Sequence, residues 1–242
     1  MQTNTLGIAL AVTLAAPQAP RAAEPPRPVV AGVADALSDG LFRRLLVVFA
    51  LNGIAAAIPA TLFLFYVADV LQAEGRQGWL LALYFVAGAA GLPMWTALAA
   101  RAGKTAAWAA SMVVAVIAFV LAALLGPGDV VAFAIVCVMS GAALGADLAL
   151  PPSILADVIG RRGTMRSTGA YFGVWTLATK LNLALAAGIA LPLLDALGYA
   201  PGSRDGDATL ALAIVYAAVP CLLKLGALAA LFSFSAASRR AA

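Results

Sequence analysis

Two carboxylates and a lysine stand in stretches of this chain that otherwise resemble hydrocarbon. In "GADLALPPSILADV" (145–158), Asp147 follows some twenty near-continuous apolar or small residues. Pro151 and Pro152 come just after it, and Asp157 lies ten positions further on. Lys180 sits near the middle of "YFGVWTLATKLNLALAAGIA" (171–190). A charge inside an apolar span costs at least ~2.5 kcal/mol, so such groups face the bundle interior or water and mark ion or solute pathways. Asp147 reads either as a cavity or gating group or as a carboxylate tied to a neighbouring helix terminus. Proline removes a backbone donor and clashes with the preceding turn, so the helix is expected to kink or break at Pro151-Pro152. Such points serve alternating-access carriers, and they also occur as inert bends fitted by packing.

Helical geometry sorts the polar residues into faces. At 100° per residue, Ser140 lies near the face of Asp147, whereas Gly141 and Gly145 lie elsewhere in a Gly-x-x-x-Gly spacing suited to close helix packing. Gly169, Gly173, Thr176 and Lys180 share one face; Tyr171, Trp175, Thr179 and Asn182 share the opposite one. One of these faces is expected to look into a cavity and the other toward neighbouring helices. Asp157 lies about 15 Å of helix from Asp147 and is a separate site. Its candidate partners are Arg101 and Lys104 in the adjacent loop, an ion pair that would hold an inner gate shut; a simply solvated helix end is the alternative. Asn52, with Pro59 seven residues on, is a further cavity candidate. Lys224 belongs to the last span, expected to be peripheral, where its ammonium reaches an interface. Tyr66 and Trp79 are expected as interfacial anchors.

These residues need membrane-spanning helices to position them. The chain is 64% hydrophobic and 11% charged, against about 25% charged residues in soluble domains. Its mean hydropathy is +0.99. Six apolar stretches, at 45–71, 78–100, 105–125, 130–157, 168–197 and 208–235, are long enough to cross a bilayer. Without water to satisfy the backbone they must be helices. The fold class is therefore an all-α integral membrane protein of six transmembrane helices.

Short breaks separate the spans: "AEGRQG", "RAGK", "GPGD", "GRRGTMRS" and "GYAPGSRDGD". One side collects Arg21, Arg27, Arg43, Arg44, Arg101, Lys104, Arg161, Arg162, Arg166, Arg239 and Arg240, and the other only Arg76 and Arg204. Eleven against two places both termini in the cytoplasm. The surplus positive charge thus follows membrane topology and is no nucleic-acid signal. The expected location is the inner membrane, with the lipid bilayer as first partner.

Several chemistries drop out. With no histidine in the chain, His-based acid–base catalysis and His-ligated metals or haem are excluded. Cys137 and Cys221 fall inside apolar spans and read as small core residues, with no disulfide framework or metal motif. "GPGD" (126–129) fits the Gly-x-Gly-Asp pattern of intramembrane aspartyl proteases, but those enzymes need two carboxylates sharing a site. No second acid lies in the preceding span, so a Gly/Pro turn is the reading. No enzyme, metal or cofactor is expected.

The first forty residues differ. "TLGIALAVTLAAP" is too short to span, and the Pro-rich "QAPRAAEPPRPVVAG" after it reads as a solvated linker. A signal peptide would carry positive charge ahead of its apolar stretch, and "MQTN" has none. The short stretch reads instead as the end of another span.

In "GLPMWTALAARAGK" (91–104), a helix ending in Arg-x-Gly-Lys resembles the inter-helix loop signature of the major facilitator superfamily. "ADLALPPSILADVI", followed by "TGAYFGVWTLATKLNLALAAGIALPLLDALGY" (168–199), resembles the C-terminal half of the glycoside–pentoside–hexuronide:cation symporters, the melibiose-carrier family. The likeness covers about 41–236, spans seven to twelve of a twelve-span fold. It implies secondary transport of a sugar or glycoside coupled to Na+ or H+. Lys180, with Thr176 on its face, would point at the cation and sugar region, and residues 237–242 would be a cytoplasmic tail. Two departures stand out: Gly160-Arg161-Arg162 replaces a further acid after "ADV", and the N-terminal half, which holds the family's cation-binding carboxylates, is absent. On that reading residues 1–40 are the remnant of the sixth span plus the central linker. The chain then needs a missing N-terminal half or another copy as partner. The alternative is a transport-inactive membrane protein, either a truncated relic or a half that assembles with another chain.

Overall fold

The computed structural model describes residues 29–161 and 168–240. The short apolar N-terminal stretch, most of the Pro-rich segment, Arg162, Arg166 and the last two residues lie outside the described residues. Those described form helices joined by short turns. A short helix α1, Val29–Ser38, precedes six long ones. Of these, α2 is Gly40–Phe65 continued by a π-helical turn Tyr66–Val70, α3 is Gln77–Ala102, and α4 is Lys104–Ala122. Next come α5, Val130–Arg161, and α6, Thr168–Ala196. The last, α7, runs from Gly206 to Arg240 with a π-helical turn at Ile214–Ala218. All six are long and apolar enough to cross a membrane, so the protein is an all-α, multi-pass membrane protein.

Two local expectations need correction and a third is narrowed. Residues 29–38, left in the linker by the sequence, form α1, because the prolines stop at Pro28 and "VVAGVADALS" can continue a helical ladder. Its Gly32 closes on Ala170 of α6, where an added β-carbon would lie 3.2 Å from the alanine methyl. At the other end, α7 continues to Arg240, so the expected tail is helical over 237–240. There the Arg161 guanidinium donates to the Ser238 carbonyl at 2.9 Å. At the expected kink-or-break point, Pro151-Pro152, there is no break: α5 runs on as one helix of 32 residues. Each proline removes one ladder bond, leaving the carbonyls of Asp147 and Leu148 without their usual donors. The turns on either side and the packed neighbours carry the helix across.

Helix ends and contacts follow from individual residues. Asp39 caps α2 by accepting from the backbone N–H groups of Leu41 and Phe42 at 2.9 and 3.3 Å, and Tyr171 of α6 donates to its other oxygen at 3.0 Å. Between α3 and α4 the chain reverses in a single residue, Gly103, at φ 89°, a conformation only glycine adopts without strain. The most extensive helix pairs are α3 with α5 and α2 with α7. Lipid supplies no hydrophobic drive between spans, so close backbone approach must hold them. Gly91 of α3 and Gly141 and Gly145 of α5 have no room for β-carbons against the facing backbone, whereas one at Gly88 would only touch the Gly141 carbonyl at 3.4 Å.

The buried apolar residues divide into two clusters along the bundle. One contains Phe42, Leu45, Val48, Trp108, Leu150 and Leu231 near the arginine-rich end. The other contains Leu62, Tyr66, Phe119, Phe133, Val136 and Tyr216 toward the opposite end. Tyr66 is a correction: it is no interfacial anchor but fully buried, stacked on Phe133 and Tyr216, its hydroxyl donating to the Ala122 carbonyl. The π-helical turn that begins at Tyr66 ends α2 among these rings. Trp79 is 45% exposed. Between the two clusters lies a polar layer.

Candidate functional site

Four helices converge on Asp147, which lies about midway along α5. Asn52 of α2 donates through Nδ2 to Asp147 Oδ1 at 2.9 Å. Trp108 of α4 donates through Nε1 to the same oxygen at 2.8 Å. Lys224 of α7 donates through Nζ to Asn52 Oδ1 at 2.7 Å and stands 3.6 Å from Asp147 Oδ2. The Asn52 amide is oriented unambiguously, since a lysine only donates and an ionised carboxylate only accepts. The Lys224 side chain is 2% exposed and that of Asp147 14%. In a medium of low dielectric such charges persist only when paired and hydrogen-bonded, here through Asn52 and Trp108.

The pair is not sealed in. Asp147 and Lys224 line a cavity of about 290 Å³, together with Ser140, Tyr84, Phe63 and Tyr216. That volume sits at the small end of the ~300–1,000 Å³ typical of ligand pockets. A mid-depth cavity with aromatic walls and one charged, pre-oriented edge can hold a small solute with both an apolar face and hydroxyl groups. Among the described residues, no group of three His, Cys, Asp or Glu side chains could hold a metal ion.

The sequence candidates separate in space. Asn52 and Asp147 meet in this layer, and Ser140 lies on the same cavity wall. Lys180 and Thr176 do not join them. Both are exposed on the outer face of α6, where Thr176 only returns its hydroxyl to the Phe172 carbonyl at 2.8 Å. The opposite face packs on α2: Trp175 stacks on Phe49 with ring centroids 3.8 Å apart, and Asn182 is buried. Lys224 is the residue that sequence reasoning set aside. It is not peripheral, because α7 packs on α2 and α4 and turns this lysine inward. The depth argument applied to Lys180 would have found it, since Lys224 is equally central in its span.

At the arginine-rich end, Lys104 Nζ stands 2.6 Å from Asp157 Oδ2 and 3.4 Å from the Ser153 carbonyl. Arg101 is exposed, with no partner among the described residues. The Lys104 and Asp157 side chains are 36% and 53% exposed, so this pair between α4 and α5 contributes ~0–1 kcal/mol. At the opposite end Asp69 is buried and accepts from the Tyr199 hydroxyl and, at 3.0 Å, from the Gly202 N–H. Burial, then the hydrogen bond and charge of Asp69, push the Tyr199 phenol above its ordinary range. This clasp between the end of α2 and the α6–α7 loop has no counterpart in the sequence reading. Asp129 folds back to accept from the Gly126 N–H at 2.9 Å, closing the "GPGD" turn.

No curated protein matches the chain. The family model of the MFS/sugar transport proteins matches residues 5–237. With six spans and a charged cavity at mid-depth, and with that match covering nearly its whole length, the chain belongs to the MFS/sugar transport protein family.

Proposed function

We propose that the chain is the C-terminal six-helix domain, about 41–236, of a secondary active carrier that moves a sugar or glycoside by symport with Na+ or H+. The observation that carries this reading is the Asp147–Lys224 pair, bracketed by Asn52 and Trp108, on the wall of a mid-depth cavity. Charge at that depth is expensive, and an open cavity beside it gives the expense a use. The family's description supports a sugar as solute. Lys180 and Thr176 would face a second six-helix domain across the transport pathway, and the Lys104–Asp157 pair, with Arg101 beside it, would close the cytoplasmic side. The arginine distribution supports cytoplasmic termini in the inner membrane.

A second reading, a transport-inactive half that assembles with another chain, is favoured by one observation. Lys180 lies exposed mid-span on a face with no neighbour in this bundle. Reconstitution separates the two. Proteoliposomes with imposed sodium or proton gradients are assayed with labelled glycosides, containing either this chain alone or this chain with an amino-terminal six-span domain of the same family. Gradient-driven accumulation is expected only in the second arm. Accumulation by the chain alone, abolished by Lys180→Ala, would instead make it a functional homodimer. Failure in both arms would leave the inactive reading.

A further inference from the structure

We propose that Asp147 Oδ2 and Lys224 Nζ form a donor–acceptor clamp that binds two adjacent hydroxyl groups of a polyhydroxy solute. The inference rests on the reading of the cavity as a sugar site and names the atoms that would make it one. It comes from counting hydrogen-bond capacity. A carboxylate oxygen has two lone-pair positions, and an ammonium has three donors. Both positions of Asp147 Oδ1 are taken, by Asn52 at 2.9 Å and Trp108 at 2.8 Å. Asp147 Oδ2 has no hydrogen bond among the described residues; its nearest charged neighbour is Lys224 Nζ at 3.6 Å, beyond hydrogen-bond length. Lys224 spends one donor on Asn52 at 2.7 Å and keeps two.

A free acceptor and a free donor therefore stand side by side, on two residues that line the cavity. Gauche hydroxyls on neighbouring carbons have their oxygens roughly one hydrogen-bond length apart. One hydroxyl donates to Asp147 Oδ2 while its neighbour accepts from Lys224 Nζ, and together they bridge the 3.6 Å gap. The solute thus replaces a loose ion pair with two charge-assisted hydrogen bonds, without separating the charges. Asn52 holds both partners and Trp108 fixes the carboxylate plane, so these two are positioning residues. Tyr84, Phe63 and Tyr216 offer apolar surface to the carbon-bound face of a sugar ring.

The test is ligand-dependent thermal stabilisation of the purified full chain by methyl hexosides and each of their monodeoxy analogues. At least one hexoside should raise the melting temperature, since a ligand that binds only the native state stabilises it. Removing either of two neighbouring hydroxyls should raise the half-effective concentration at least about tenfold; removing the others should matter less. The single variants leave a buried charge unpaired and can fail to fold, so Asp147→Asn/Lys224→Met is used as a neutral pair. It should fold and melt cooperatively yet lose the stabilisation. Stabilisation that survives in the double variant, or that depends on two non-adjacent hydroxyls, would overturn the clamp and leave the sugar reading intact. The absence of stabilisation by any hexoside would overturn both.

Discussion

Lys224→Ala is expected to be the most damaging single side-chain truncation in the protein. Lys224 is 2% exposed, and its removal leaves Asp147 with two neutral donors and no counter-charge. Breaking one partner of a buried pair costs ~3–5 kcal/mol, a large share of any domain's stability. Asp147→Asn should be comparably damaging from the other side, because it strands the ammonium. The combined Asp147→Asn/Lys224→Met variant should recover most of the loss, since replacing both charges is often neutral. The measurement is the half-life of the monodisperse chain in detergent at fixed temperature. Additive losses in the double variant would mean that the two residues act independently.

The second large effect is expected at the α3–α5 contact. A β-carbon at Gly145 would lie 2.6 Å from the Gly88 carbonyl oxygen and 2.7 Å from the Leu92 nitrogen. Both obstacles are backbone, so the helices must separate. Gly145→Ala should cost about 1–3 kcal/mol, the range for overpacking a filled interface, and Gly145→Leu should prevent assembly. Gly173→Ala is the matched control. That residue is also inside a helix, but nothing lies within 4 Å of an added β-carbon, so better helix propensity should leave stability equal or slightly raised. Yield and detergent stability of the three variants decide it; a Gly145→Ala protein as stable as wild type would remove the backbone contact from the account.

These effects also mark what the sequence could convey. Span count and approximate ends follow from apolar run length, because a bilayer enforces both. Asp147 was recognisable as interior because a carboxylate in hydrocarbon has nowhere else to go. Its partners were less accessible. Asn52, Trp108 and Lys224 come from three other helices, and which face each helix turns inward depends on packing among backbones. A lysine at mid-span announces that it needs a counter-ion but not which one. Lys180 and Lys224 look alike in sequence, yet one is exposed on α6 and the other buried beside Asp147. At Pro151-Pro152 local rules predict a kink or a break, and only the structure tells that α5 continues through the pair as one helix. The Asp69–Tyr199 clasp joins residues 130 positions apart and carries no local signature.

If the cavity beside the Asp147–Lys224 pair admits solute, water must reach it, and single cysteines in a chain whose Cys137 and Cys221 are replaced by serine will show whether it does. Ser140 lines the cavity, whereas Leu222, two residues from Lys224, is 70% exposed on the outer surface of α7. A small charged methanethiosulfonate that reacts only in water should modify Ser140→Cys in membranes and leave Leu222→Cys untouched. The hexoside that stabilises the protein should slow the reaction at position 140. If position 140 were as inert as position 222, the cavity would be closed to water and solute, and the Asp147–Lys224 pair would be structural glue alone.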